Sequence, residues 1–142
     1  MEKKIINRIS KSKLVSIDID EIFKDFEIVT FDLTKYLKND LVLIEKEFRN
    51  EMKNHDWKQY FGKKISINCS NNAIVPDWAF MLVSSYLKTY DIENYIGDEE
   101  LVKNIVIFKT INDLDLKNFN DRVVVIKGCS KKNIPTYVYS IL

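Results

Sequence analysis

Apolar and polar positions alternate in short bursts over the first forty residues. Leu14-Val15-Ser16-Ile17 and Glu27-Ile28-Val29-Thr30-Phe31-Asp32-Leu33 carry the two-residue period of half-exposed strands. From Glu45 to Asn54 the period lengthens. Phe48 and Met52 stand four apart and Glu45 and Arg49 form an i,i+4 pair, which predicts a short amphipathic helix. His55-Asp56-Trp57 ends it, and Gly62 marks a turn into the next strand.

From Lys63 onward, strand and helix patterns take turns. Residues 63–69 alternate around Ile65 and Ile67, Pro76 stands where a first helical turn tolerates it, and 77–90 reads as a mostly apolar helix. Residues 93–96 predict a short strand closed by Gly97. Asp98-Glu99-Glu100 then place carboxylates at a helix start ahead of Leu101, Ile105 and Phe108, although 105–108 also fits a strand. The β-branched run Val123-Val124-Val125-Ile126, within 122–127, predicts a strand buried on both faces, and Pro135 opens a last helix.

The expected architecture is a single α/β domain over 1–142. A small strand-rich amino-terminal layer, 1–44, precedes a βαβαβα unit, 45–142, wound in the flavodoxin or Rossmann manner around a three-layer parallel sheet. Flavodoxin-like order sets strand 121–127 directly beside strand 63–69, with 92–96 on the other side. An unpartnered edge of such a sheet makes a homo-oligomer an expectation.

Charge narrows the partners. With 22 Lys+Arg against 21 Asp+Glu the formal net charge is +1, so no excess of one sign draws the chain to nucleic acid or to a membrane surface. The longest apolar run, 78–83, is too short to span a bilayer, and the basic stretch 1–13 is followed by no apolar region of signal-peptide length. A cytoplasmic protein is expected. CxxC, HExxH, GxGxxG and GxxxxGK[ST] are absent, which removes the common metal, dinucleotide and nucleotide signatures.

The two cysteines, Cys69 and Cys129, read as thiols rather than a structural disulfide, and two alone do not complete a four-thiolate zinc or iron–sulfur site. They sit in a near-repeat. Ile65-Ser66-Ile67-Asn68 leads into Cys69-Ser70, polar residues, Ile74 and Pro76; Val124-Val125-Ile126-Lys127-Gly128 leads into Cys129-Ser130, polar residues, Ile134 and Pro135. Both thiols therefore fall just past the carboxyl ends of strands, where open parallel sheets bind ligands. Neighbouring strands lie about 4.8 Å apart, so adjacent strands would bring both sulfurs to one ligand. Ser70, Ser130, Asp98 and Lys127 supply polar groups for the same rim. Against this, a free cysteine also packs as a small buried hydrophobe, and Cys-Ser after a strand also describes a plain turn. His55, at a helix carboxyl end, is a weaker candidate, and Trp57 and Trp78 read as core.

Several strings together resemble a bacterial family, domain of unknown function 2480. They are Ile6-Asn7-Arg8, Glu45 to Arg49, His55-Asp56-Trp57, Cys69-Ser70, Ala73-Ile74-Val75-Pro76-Asp77-Trp78-Ala79, Gly97-Asp98, and Val125-Ile126-Lys127-Gly128-Cys129-Ser130. The resemblance runs from about residue 6 to the carboxyl end and brings no activity with it. It implies a shortened carboxyl terminus, because the family continues into a further strand and a Gly-x-x-Cys-Ser segment. It also implies a setting among iron–sulfur cluster assembly proteins.

Three functions follow as expectations. The first is an accessory protein holding sulfur, metal or a nascent cluster through Cys69 and Cys129, with iron–sulfur assembly proteins as partners. The second is a non-catalytic interaction module with structural cysteines. The third is an enzyme with one cysteine as nucleophile and Asp98 or His55 as acid/base; a single His and no base at defined spacing weigh against it.

Overall fold

A computed structural model describes residues 14–19, 26–71, 73–127 and 134–142. In chain order its elements are β1 (Val15–Asp18), β2 (Ile28–Asp32), β3 (Leu37–Lys38), β4 (Val42–Leu43), α1 (Glu45–Asn54), β5 (Lys64–Asn68), α2 (Asp77–Thr89), β6 (Asn94–Ile96), α3 (Glu99–Asn112), β7 (Val124–Lys127) and α4 (Val138–Ile141). Short 3-10 turns stand at Leu33–Tyr36, Trp57–Tyr60 and Leu116–Phe119. Helices and parallel strands mix throughout, so the α/β class expected from the pattern holds. The described residues divide into two compact units, those within 25–106 and those within 1–24 and 107–142.

The larger unit is built on a parallel sheet of order β2-β5-β6. Ile65, Ser66 and Ile67 of the central strand are fully buried, as a parallel strand covered on both faces requires. Phe48 and Met52 of α1 pack into the same core as Ala79, Val83 and Leu87 of α2, the latter three at a spacing of four that lines one helical face. Rings fill the space beside β2: Tyr36, Phe31, Trp57 and Tyr86 lie in near-parallel succession at centroid separations of 5.5, 5.5 and 5.2 Å. The Trp57 indole donates to the Met52 carbonyl at 3.0 Å, so its one polar atom is satisfied inside the core.

Three expectations are corrected. Strand 121–127 is not beside strand 63–69: both edges of β5 are taken, by β2 and β6. The amino-terminal strands β1 and β2 form no separate layer, since β2 joins the central sheet and β1 pairs with β7 in parallel, Val15 opposite Val124 through Asp18 opposite Lys127; only β3 and β4 pair with each other alone. Phe31 and Val29 explain the first change, because β2 delivers them to the main core. Nor is β7 buried on both faces. In a two-stranded sheet its apolar run stays open, with Val123 at 67%, Val125 at 40% and Ile126 at 37% exposure. The smaller unit's core is Ile19, Ile107, Ile111 and Val138. Residues 105–108 are helical, with Val102 and Val106 buried four apart in α3.

The turn between β6 and α3 depends on one glycine. Ser66 Oγ donates to the Gly97 carbonyl at 2.6 Å and Gly97 N–H donates to the Ile67 carbonyl at 2.9 Å, which ties the turn to β5. Gly97 has φ +147°, and a Cβ there would lie 2.5 Å from Leu101 Cδ2. Gly97→Ala is expected to lower stability by about 1–3 kcal/mol in urea unfolding; an unchanged midpoint would show that the turn relaxes freely.

Candidate functional site

Parallel pairing sets Asp32 opposite Asn68, so the chain leaves β2 and β5 on the same edge of the sheet. Leu33, fully buried, anchors the first exit, and Thr34 follows it in a 3-10 turn. Cys69, Ser70 and Asn71 leave β5 beside that turn.

One carboxylate binds the two exits together. Asp32 Oδ1 accepts from the Thr34 amide at 3.0 Å, capping its own turn, and from the Ser70 amide at 3.1 Å, across to the neighbouring strand end. Burial by itself pushes this carboxyl up. Hydrogen bonds from the Ser70 hydroxyl, the Thr34 amide, the Thr34 hydroxyl and the Ser70 amide outweigh it and lower the pKa from 3.8 to about 2. Thr34 Oγ1 completes the crossing: it accepts from the Ser70 amide at 3.1 Å and lies 3.2 Å from Ser70 Oγ and 3.5 Å from Cys69 Sγ.

Cys69 is half-buried, packed on one side against the main core and facing this polar group on the other. Its Sγ donates to Asn71 Oδ1 at 3.1 Å. The same Oδ1 accepts the Ala73 amide at 3.0 Å, while Asn71 Nδ2 donates to the Asp40 carbonyl at 2.7 Å, at the tip of the β3–β4 hairpin. Asn68 Oδ1, one residue before the thiol, is buried without a hydrogen-bond partner among the described residues. Asp32, Thr34, Cys69, Ser70 and Asn71 thus form one hydrogen-bonded cluster drawn from two strand ends, with Asn68 next to it in sequence.

Of the residues expected from sequence, Cys69 and Ser70 belong to it. Cys129 and Ser130 lie outside the described residues. Lys127 ends β7, in the two-stranded sheet rather than the sheet that carries Cys69. Asp98 caps α3, its Oδ1 accepting the Leu101 amide at 2.8 Å. His55 follows α1 among aromatic rings, stacked on Tyr60 at 5.7 Å, with Nε2 3.2 Å from the Tyr60 hydroxyl and 3.2 Å from the Gln59 amide nitrogen. Burial lowers its pKa and outweighs the nearby Asp56 carboxylate, which raises it. Those contacts make His55 part of the ring packing. Asp32, Thr34 and Asn71 were missed from sequence, although Asp-x-Thr after an apolar run carries the signature of a side chain capping its own turn.

Among the described residues no group of three or more His, Cys, Asp or Glu comes together to hold a metal ion, and no helix is long and apolar enough to cross a membrane. A groove of about 680 Å³ along α2 and β6 is lined by Met81, Ser84, Ser85, Lys88, Thr89 and Ile96; it offers contact groups but no thiol, imidazole or carboxylate.

Compared with known proteins, residues 3–142 match the family described as protein of unknown function (DUF2480). No curated protein and no solved structure matches the chain.

The Asp32 network makes a pH-dependent prediction. Its folded pKa of about 2 lies below the ordinary 3.8, so the stability it contributes is complete above pH 4 and is lost as pH falls toward 2. Asp32→Ala is expected to cost about 2 kcal/mol at neutral pH, the range of hydrogen bonds to a charged group. In urea unfolding across pH, the gap between parent and variant should narrow between pH 4 and 2; a constant gap would assign the loss to packing.

Proposed function

The chain belongs to the family of proteins of unknown function (DUF2480), and from the cluster at the strand ends we propose that it is a cytoplasmic accessory protein that binds sulfur, metal or a nascent cluster in support of iron–sulfur cluster assembly. Cys69 is the ligand thiol and Cys129 the second thiol. The observation that carries this reading is the place of Cys69: past the carboxyl end of the central parallel strand, half-buried, hydrogen-bonded on its open side by side chains from two strand ends. A cysteine serving only as filler has no need of that polar side.

Among these ligands, sulfur fits the described donors best. A metal ion or cluster needs three or four protein donors, and the described edge supplies one thiol with hydroxyls and amides. A sulfane sulfur needs one thiolate. In that transfer the Cys69 thiolate attacks the outer sulfur of a donor persulfide, a new S–S bond forms on Cys69, the donor S–S bond breaks, and the donor leaves as a thiolate. Atoms and electrons balance with the persulfide donor as sole co-reactant.

A second reading, a docking module, draws on Leu41 and Val42 at the β3–β4 hairpin and Ile74 after the cluster, exposed at 66%, 59% and 93%. The two readings are compatible, because a carrier must meet its donor.

Protein purified without oxygen, with Cys69→Ser and Cys129→Ser beside it, is the test. Metal content, labile sulfide, sulfane sulfur after incubation with a small-molecule persulfide, and the absorption spectrum are read together. The proposal expects stoichiometric sulfur or metal that Cys69→Ser abolishes. A parent protein that stays empty after persulfide and after iron–sulfide reconstitution would overturn it.

A further inference from the structure

Asn71 makes three hydrogen bonds through one amide, and two of its partners allow only one orientation. The Asp40 carbonyl can only accept, so it must face Nδ2; the Ala73 backbone N–H can only donate, so it must face Oδ1. The oxygen is thereby directed at Cys69 Sγ, 3.1 Å away, and an oxygen acceptor bonds a sulfur only when the sulfur carries a proton. A thiolate in the same place would meet a lone pair of Oδ1 instead of a donor, with the Thr34 hydroxyl, 3.5 Å away, as its other polar neighbour.

We infer that Asn71 is a positioning residue that ties up the Cys69 S–H in a hydrogen bond and so slows reaction at the sulfur, with the Asp40 carbonyl of the hairpin tip fixing which end of the amide faces the sulfur. The inference rests on the reading of Cys69 as the working thiol and adds its regulation. Reaction at the sulfur requires its proton to leave. The bond to Oδ1 is then lost, and a turned amide would offer Nδ2 to the thiolate only by releasing Asp40 and Ala73. The resting network therefore opposes reaction until the hairpin contact is released. Asn39 and Asp40 hold the tip with φ of 52° and 59°, conformations that Asn and Asp adopt more readily than most residues.

The test is the alkylation rate of Cys69 by iodoacetamide in the full chain carrying Cys129→Ser, so that a single thiol reports. Asn71→Ala removes the acceptor and is expected to raise the rate about fivefold or more, the ratio that one ordinary hydrogen bond represents. Asn71→Asp presents oxygen in either orientation, and it should react no faster than the parent. A role limited to fixing the loop predicts the reverse for Asn71→Asp, because that variant loses the Asp40 bond and loosens the hairpin. Asn71→Ser, a turn-forming side chain too short to hold the sulfur, carries the same expectation as Asn71→Ala should the alanine variant fail to fold. Ser84→Ala, which breaks the distant Ser84–Asn94 bond, controls for general destabilisation and should leave the rate unchanged. Removal variants within about twofold of the parent, or Asn71→Asp as fast as Asn71→Ala, would overturn the inference. The readout needs no bound sulfur or metal, so its result is independent of whether the protein proves to carry a ligand.

Discussion

The Asp32 carboxylate is the interaction on which the candidate site depends. Parallel strands β2 and β5 end side by side, and nothing in strand pairing alone fixes the residues that follow them. A single ionised oxygen accepting the amides of Thr34 and Ser70 does so, because it belongs to one strand end and caps both exits. Its charge makes those bonds stronger than neutral ones, and their sum outweighs the cost of partial burial. Thr34, once fixed, brings its hydroxyl to Cys69 Sγ and to the Ser70 hydroxyl.

Beneath that edge lies a core that explains its rigidity. Ile65 and Ile67 on one face of the central strand and Ser66 on the other are fully buried, Ser66 ties it to the turn after β6, and the rings beside β2 hold Phe31 one residue before Asp32. The site is therefore carried by strand ends with packed side chains directly behind them. The tip of the β3–β4 hairpin is held through Asn71 and the Asp40 carbonyl, while Leu37 and Leu43 behind it are tied to apolar packing.

Local pattern foretold the elements well. Phe48 and Met52 at a spacing of four, with Glu45 and Arg49 in a salt bridge at 2.8 Å, made α1 legible, and Gly97 with Asp98 marked the β6–α3 turn. The position of Cys69 past a strand end was legible for the same reason. Which strands become neighbours was not. The alternation in Ile28-Val29-Thr30-Phe31 declares a strand but does not say that it lies beside residues 64–68, because that choice is made by side chains distant in sequence. The run Val123 to Ile126 shows the converse error: β-branched residues announce a strand without specifying how many others will cover it. The cluster around the thiol escaped detection because its key bond joins Asp32 to a residue 38 positions away. Family membership supplied continuity over the chain and no chemistry.

One strongly hydrogen-bonded carboxylate organises the edge that carries the thiol. Its most direct measurement is an NMR titration of the Asp32 side-chain carboxyl carbon in the intact protein. A midpoint of about 2 is the predicted result, since the amides and hydroxyls of Thr34 and Ser70 favour the charged form. A midpoint near the ordinary 3.8 would mean that those four bonds are not made together, and the strand ends would then not form the site described.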